Sequence, residues 1–263
     1  MLEFDLKAYE SLLNKIKEKY SNILTVREYF KCGKLPEVFC IIRHDVDRRP
    51  SNALKTAELE KKYGIKASYY FRKSPSKKEK NIILKISEMG HETGFHFECL
   101  SDARGNRDKA EELFKKELKK LREIVSVETI CMHGSPFSAY DNRVMWEGAD
   151  KQKELIEKYG ILGEVYCHID FMNVVYLTDT GRSWKEDASN IRDHAGKAAA
   201  SLKSGGTSGL IEYLEKSAHA NIMINAHPER WNAPGIPYMY SYLFDTASGI
   251  IKMFLAQIRK KRV

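Results

Sequence analysis

Two carboxylates and a histidine crowd the stretch "IIRHDVDRRP", residues 41–50, and three further histidines close apolar runs elsewhere: His96 in "HETGFH", His133 in "CMHGSPFS" and His227 in "INAHPERW". On an extended backbone Asp45 and Asp47 point to one side while His44 and Val46 point to the other. Their Cα atoms then lie roughly 6–7 Å apart. One carboxylate can bind a metal while the other stays free as a base, and the two repel unless a cation or a proton sits between them. An ordinary charged turn, with the acids capping a helix after Pro50 and pairing with Arg43, Arg48 or Arg49, satisfies the same residues. His96 is a candidate metal ligand, because neutral imidazole is a common ligand for zinc and similar ions. His91, five residues earlier, falls on the opposite face of a strand and is read as structural. In "YLTDTGRSW" Asp179 can orient a histidine or arginine beside Arg182, and Trp184 can stack on a sugar face; a turn closed by the Asp side chain is the competing reading.

The elements that must carry these residues follow from periodicity. "EVFCII" reads as a strand and "SNALKTAELEKKYG" as a helix with Ser51 as N-cap and Gly64 as its stop. "KASYYFR" and "HETGFHF" read as strands flanking the helix "KKEKNIILKISEMG", residues 103–125 as a third helix, and "VETICMH" as a fourth strand. This βα alternation predicts a parallel sheet with helical crossovers. The rhythm loosens after Pro136, then "ANIMINAHPERW" gives a buried strand and the last segment a long apolar-faced helix. In a parallel α/β barrel all strand ends open on one face. Asp45, Asp47, His96, His133 and His227 therefore converge on one rim, and that convergence favours chemistry over a charged turn. We expect residues 1–35 to form a helical addition and residues 36–263 a single (β/α) barrel domain.

Composition narrows the field. At 263 residues with 43% hydrophobic content, the chain has material for one large α/β core. Five cysteines without a CxxC spacing fit reduced thiols better than a disulfide framework or a zinc site; packing is the expected role of Cys99 and Cys131, a catalytic one the alternative. The N-terminal segment has no apolar run fit for a signal-peptide core, and no segment is apolar enough to span a bilayer, so a cytoplasmic location is expected. The net charge of +8 comes largely from lysines on solvated helix faces such as residues 109–125. With no DNA- or RNA-binding motif, nucleic acid is not an expected partner. The basic balance is compatible with an anionic sugar nucleotide or lipid-linked glycan.

With these residues in place, the chain resembles the polysaccharide deacetylase (NodB-homology) family. "RHDVD", "GHETGFH", "MHGSPFS", "TDTGRSW" and "INAHP" are similar to its five motifs in order, between about residues 38 and 231. "GHETGFHFECLSDARG", "YDNR" and "HPERW" look like a bacterial subgroup tied to surface-polysaccharide synthesis. The resemblance implies a distorted (β/α) barrel of the NodB type and a metal-dependent hydrolase that removes an N- or O-acetyl group from a sugar, with zinc the expected ion. Carried over by position, Asp45 is the general base, Asp47 and His96 are metal ligands, and His227 is the general acid. Asp179, Arg182, Trp184 and Trp231 are assigned to the sugar. The family's second histidine of the "GHETGFH" motif falls on Leu100, and its third-motif arginine is replaced by His133. We therefore expect His133 to supply the third ligand, with Glu98 or Asp102 the less favoured substitutes. A barrel that has lost catalysis and binds a glycan or a biosynthetic partner is the alternative.

Overall fold

The computed structural model describes residues 2–73, 75–185, 192, 193, 195, 196, 202–216 and 220–260. An N-terminal helix, α1 (Leu6–Lys19), starts where the Asp5 side chain accepts the Ala8 N–H at 2.7 Å. Strand β1 (Ile23–Leu24) and the short helix α2 (Val26–Lys31) follow, the latter closed by a Thr25–Glu28 capping box. The alternation then runs β2 (Cys40–Val46), α3 (Pro50–Lys62), β3 (Ser68–Phe71), α4 (Lys77–Glu88), β4 (Glu92–Phe97), α5 (Cys99–Asp102), α6 (Arg107–Arg122), β5 (Thr129–Met132), α7 (Ala149–Tyr159) and β6 (Gly163–Glu164). It continues through α8 (Val165–His168), β7 (Val174–Thr178), α9 (Thr207–Lys216), β8 (Asn221–Ala226) and the long helix α10 (Ile236–Lys260).

Every ladder is parallel, and the strand order is β6-β5-β4-β3-β2-β8-β7, with β1 paired alongside the start of β2. The first long strand thus pairs with the last, and the order is sequential around a ring whose seam lies between β6 and β7. That is an α/β fold with a distorted, open (β/α) barrel, as expected.

Alternation along each strand separates two layers. Inside the barrel, Ile41, Tyr70, Cys131, Tyr176 and Met223 pack together. Outside, Ile42, Tyr69, Phe95, Ile130 and Ile224 meet the helices, and Leu12, Leu13 and Ile16 of α1 join that layer. Gly94 is required by this packing, since a Cβ there would lie 2.4 Å from the Tyr70 ring.

Three local readings differ. Strand β2 runs on through Val46 because its ladder with β3 continues, Asp45 facing Tyr70 and Val46 facing Phe71. Helix α3 begins at Pro50 with Arg49, not Ser51, in the cap position, because proline is already shaped for the first helical turn. The helix expected over 103–125 is broken by Arg104 and Gly105, at φ 51° and 86°, and restarts on the Asn106 cap.

Candidate active site

The strand ends do converge. Asp45, Asp47, His96, His133 and His227 line one small pocket at the C-terminal rim, together with Thr180, Asp193 and Arg230. Ser135, Arg49 and Arg182 adopt left-handed backbone conformations in the rim loops, at φ 40°, 51° and 56°. Such strain in non-glycine residues gathers where a loop must hold a shape.

Asp47 meets two imidazoles. Its Oδ1 lies 3.2 Å from His96 Nε2 and 3.6 Å from His133 Nε2, yet it is buried and makes no well-formed hydrogen bond. Ligand atoms of Asp47, His96 and His133 all fall within 4.8 Å of one another. The far ring nitrogens set the tautomers. His96 Nδ1 faces the Cys131 carbonyl at 3.0 Å, and His133 Nδ1 faces Glu98 Oε2 at 2.8 Å. A carbonyl and a carboxylate can only accept, so each Nδ1 carries the proton, and a neutral ring then turns its Nε2 lone pair toward Asp47. Two lone pairs and a carboxylate oxygen converging in a buried site repel unless a cation joins them. Two imidazoles and one carboxylate are a donor set suited to zinc and related divalent ions. Without an ion the site draws protons. Burial pushes the Asp47 pKa up, but the two histidines outweigh it and hold the carboxyl well below its usual range. Burial likewise opposes charge on His96, while Asp45 and Asp47 raise its pKa above the ordinary value.

Glu98, weighed from sequence as a substitute ligand, stands behind His133. Burial raises its pKa, and His133 and Arg72 more than reverse this, holding it as a carboxylate bonded to His133, Arg72 and Ser135. A carboxylate behind a ligating imidazole fixes its orientation. Leu100, at the position of the missing histidine, packs into the apolar layer under the helices.

Asp45 is held differently. Its Oδ1 takes Arg43 Nη1 at 2.5 Å and its Oδ2 takes Asn225 Nδ2 at 3.0 Å. The pairing with Arg43 considered for a charged turn is therefore real, but it is made inside the barrel, where both side chains point from β2. Arg43 also bonds the hydroxyls of Tyr166 and Tyr176, and both hydroxyls donate to Asp193. Asp193 further accepts from Thr178 and Thr180. Sequence reasoning missed Asp193, whose stretch of sequence carries no periodicity or motif to mark it. Cys131 sits against this group, accepting from Arg43 at 3.0 Å; burial pushes its thiol pKa far up, so it stays protonated.

Asp179 is completely buried and is not positioned to touch a sugar. It accepts from His227 Nδ1 at 2.6 Å, from the His227 N–H, from Arg230 Nη1 at 2.5 Å and from Trp231 Nε1 at 2.9 Å. It orients His227. Burial and the Arg230 charge push the His227 pKa down, but Asp179 outweighs them and lifts it to about 8. The imidazole is thus protonated at neutral pH. The assignments of Trp184 and Trp231 to the substrate are corrected as well. Both rings are buried against Phe4, with centroids 6.3 and 5.4 Å away, because the N-terminal segment folds over them. Arg182 is also drawn away from the pocket, bonding Asp245 at 2.8 Å and Ser241 at 2.7 Å on α10. What does adjoin the pocket is a cleft of about 440 Å³, lined by Arg48, Arg72, Ser135, Phe137, Glu229 and Phe244 among others.

No protein-family model and no curated protein matches the chain. Among solved structures, it is similar to a Streptococcus mutans CE4 esterase, at 13% identity and TM-score 0.47, over 95% of this chain and 92% of that one. It is similar to a peptidoglycan N-acetylglucosamine deacetylase at 14% identity and TM-score 0.44, over 94% and 90% of the two chains. It is also similar to a CE4 family pseudoenzyme from Bacillus anthracis, at 12% identity and TM-score 0.45, over 82% of this chain. The chain spans 60% of the pseudoenzyme's length.

Proposed function

We propose that this protein is a metal-dependent carbohydrate deacetylase of the polysaccharide deacetylase type, removing an N- or O-acetyl group from a sugar in surface-polysaccharide synthesis. The observation that carries the reading is the convergence of the Asp47, His96 and His133 donor atoms between Asp45 and His227. A divalent ion, zinc in this reading, supplies Lewis acidity toward the acetyl carbonyl and a more acidic water. Asp45, fixed by Arg43 and Asn225, accepts the proton of the attacking water. His227, protonated and oriented by Asp179, gives its proton to the departing sugar nitrogen or oxygen. The adjoining cleft holds the rest of the sugar and its carrier, a sugar nucleotide or a lipid-linked glycan. Five free cysteines, three of them buried, support a reducing, cytoplasmic setting.

Acetate release from acetylated sugars, with added zinc and with chelator, tests the reading. We expect release that needs metal and falls by about 10²–10⁴-fold in Asp45→Asn. Release indifferent to metal and to that substitution would sink the mechanism. Stoichiometric glycan binding without turnover would favour the catalytically degenerate alternative.

A further inference from the structure

Helix α10 has two opposed faces. The inner one is tied to the rim, where Ser241 and Asp245 are buried and bonded to Arg182. The outer one is apolar and open to solvent: Ile236 is 86% exposed, and Met239, Tyr240, Leu243, Ile250 and Ile251 are 46–62% exposed. At about 100° per residue these six lie roughly half a turn away from Ser241 and Asp245, and they form one stripe about 22 Å long. Scattered exposed apolar residues are ordinary, whereas a continuous stripe marks a surface that is covered by something.

Charge selects the occupant. The chain carries a net charge of +8, and in the sequence residues 258–263 read "IRKKRV", with four cations. The Arg49 guanidinium lies over the Tyr240 ring, 4.7 Å from its centroid, beside the stripe. A second copy would bring its own Arg49 charge to the same face. An anionic bilayer offers negative headgroups and an apolar layer together, which suits aromatic and aliphatic side chains flanked by cations. Among the described residues no helix is long and apolar enough to cross a membrane, so the helix would lie in the plane.

We propose that α10 docks flat on an anionic lipid surface through Ile236, Met239, Tyr240, Leu243, Ile250 and Ile251. The opposite side of the same helix lines the cleft through Phe244, Asp245, Ser248 and Gly249. Docking therefore holds the cleft one helix diameter, roughly 10 Å, above the membrane surface, within reach of the headgroup of a lipid-linked sugar. That choice of substrate class rests on the deacetylase reading; the docking does not.

The full chain is sedimented with vesicles of phosphatidylcholine and phosphatidylglycerol in equal parts and with vesicles of phosphatidylcholine alone. We expect at least about tenfold tighter binding to the anionic vesicles, weakened by salt. The triple variant I236S/L243S/I250S should lose roughly another tenfold or more while keeping its melting temperature and its acetate release from a soluble sugar. Leu243→Glu repeats the test with one exposed position and a charge the surface repels. Vesicle binding retained by Asp45→Asn, in which acetate release should be strongly reduced, would support docking independently of catalysis. Three results would overturn the proposal: no binding to anionic vesicles, binding that neither variant weakens, or a dimer in solution that the triple variant dissociates.

Discussion

Strand β2 carries a carboxylate–histidine cluster on each of its faces, and the two are built to opposite ends. On the outer face Glu60 is surrounded by partners: Oε1 meets His44 Nε2 at 2.6 Å and the Tyr9 hydroxyl, and Oε2 takes the Tyr69 hydroxyl at 2.6 Å. His44 is bonded on its other side to the Ala226 carbonyl, and His91 accepts from the Ala67 N–H while donating to the Ala57 carbonyl. Every donor there meets an acceptor. On the inner face Asp47 Oδ1 is buried without a hydrogen bond and two imidazoles aim their Nε2 atoms at it. The same residue types make a closed network on one side and an incomplete one on the other. A closed buried network holds a fold together; an incomplete one is high in energy until a cation or substrate completes it.

Substitutions should separate the two. Glu60→Ala leaves His44, Tyr9 and Tyr69 without their shared acceptor, and removing one partner of a buried pair costs about 3–5 kcal/mol. In a chain of this size that lowers the melting temperature by about 10 °C, measured by thermal unfolding. Acetate release per folded molecule should stay within about threefold of wild type. Asp47→Asn should show the reverse pattern: release collapses, while stability in chelator changes by less than about 1 kcal/mol. Equal stability losses in the two variants would erase the distinction.

The next effect is metal linkage. A ligand that binds only the folded state at a hundred times its Kd adds about 2.7 kcal/mol. Zinc should therefore raise the melting temperature of the wild type and leave His133→Ala nearly unmoved. Glu98→Gln, which only loosens the ligand's support, should weaken zinc binding by about 10–100-fold. Zinc that stabilises Glu60→Ala as strongly as wild type would confirm that the two faces are independent. A shift of equal size in His133→Ala would remove His133 from the ligand set.

How much of this was legible in the sequence depends on range. Strand ends are marked by local patterns, so Asp45, Asp47, His96, His133 and His227 could be placed on one rim before any coordinates. Leu100 and His133 also pointed to a candidate third ligand, because one departure from the motif pattern suggested the other, and the His133 ring does lie beside Asp47 and His96. What stayed hidden depends on contacts across the chain. Trp184 and Trp231 sit beside polar motif residues, and only the fold shows Phe4 packing on them. Asp193 reaches Tyr166, Tyr176 and the threonines from a segment without periodicity. Arg43 looked like half of a surface ion pair, and the continuation of β2 past residue 42 turned it inward beside Asp45.

Asp179 joins the comparison as a third carboxylate, since it shapes the site without belonging to either cluster. It raises the His227 pKa to about 8 against burial and the Arg230 charge. If His227 is the general acid, release should decline as pH rises through about 8, where the proton is lost. Asp179→Asn removes the larger raising charge, leaving only Asp47 against burial and Arg230, so the alkaline limb should move to lower pH. A stability measurement in chelator supplies the second readout. A histidine whose folded pKa is raised above 6.5 contributes stability that is fully present below about pH 6.5 and lost as pH climbs through about 8, here about 2 kcal/mol. The denaturant midpoint of the wild type should therefore carry a downward slope between about pH 6 and pH 9 from this group, and Asp179→Asn should flatten it. The absolute stability of the variant falls in any case, because one of the two oxygens that His227, Arg230 and Trp231 share becomes an amide NH2 that cannot accept. The slope, not the level, tests the assignment: an unmoved alkaline limb together with an unchanged slope would mean that Asp179 braces the rim without tuning the acid.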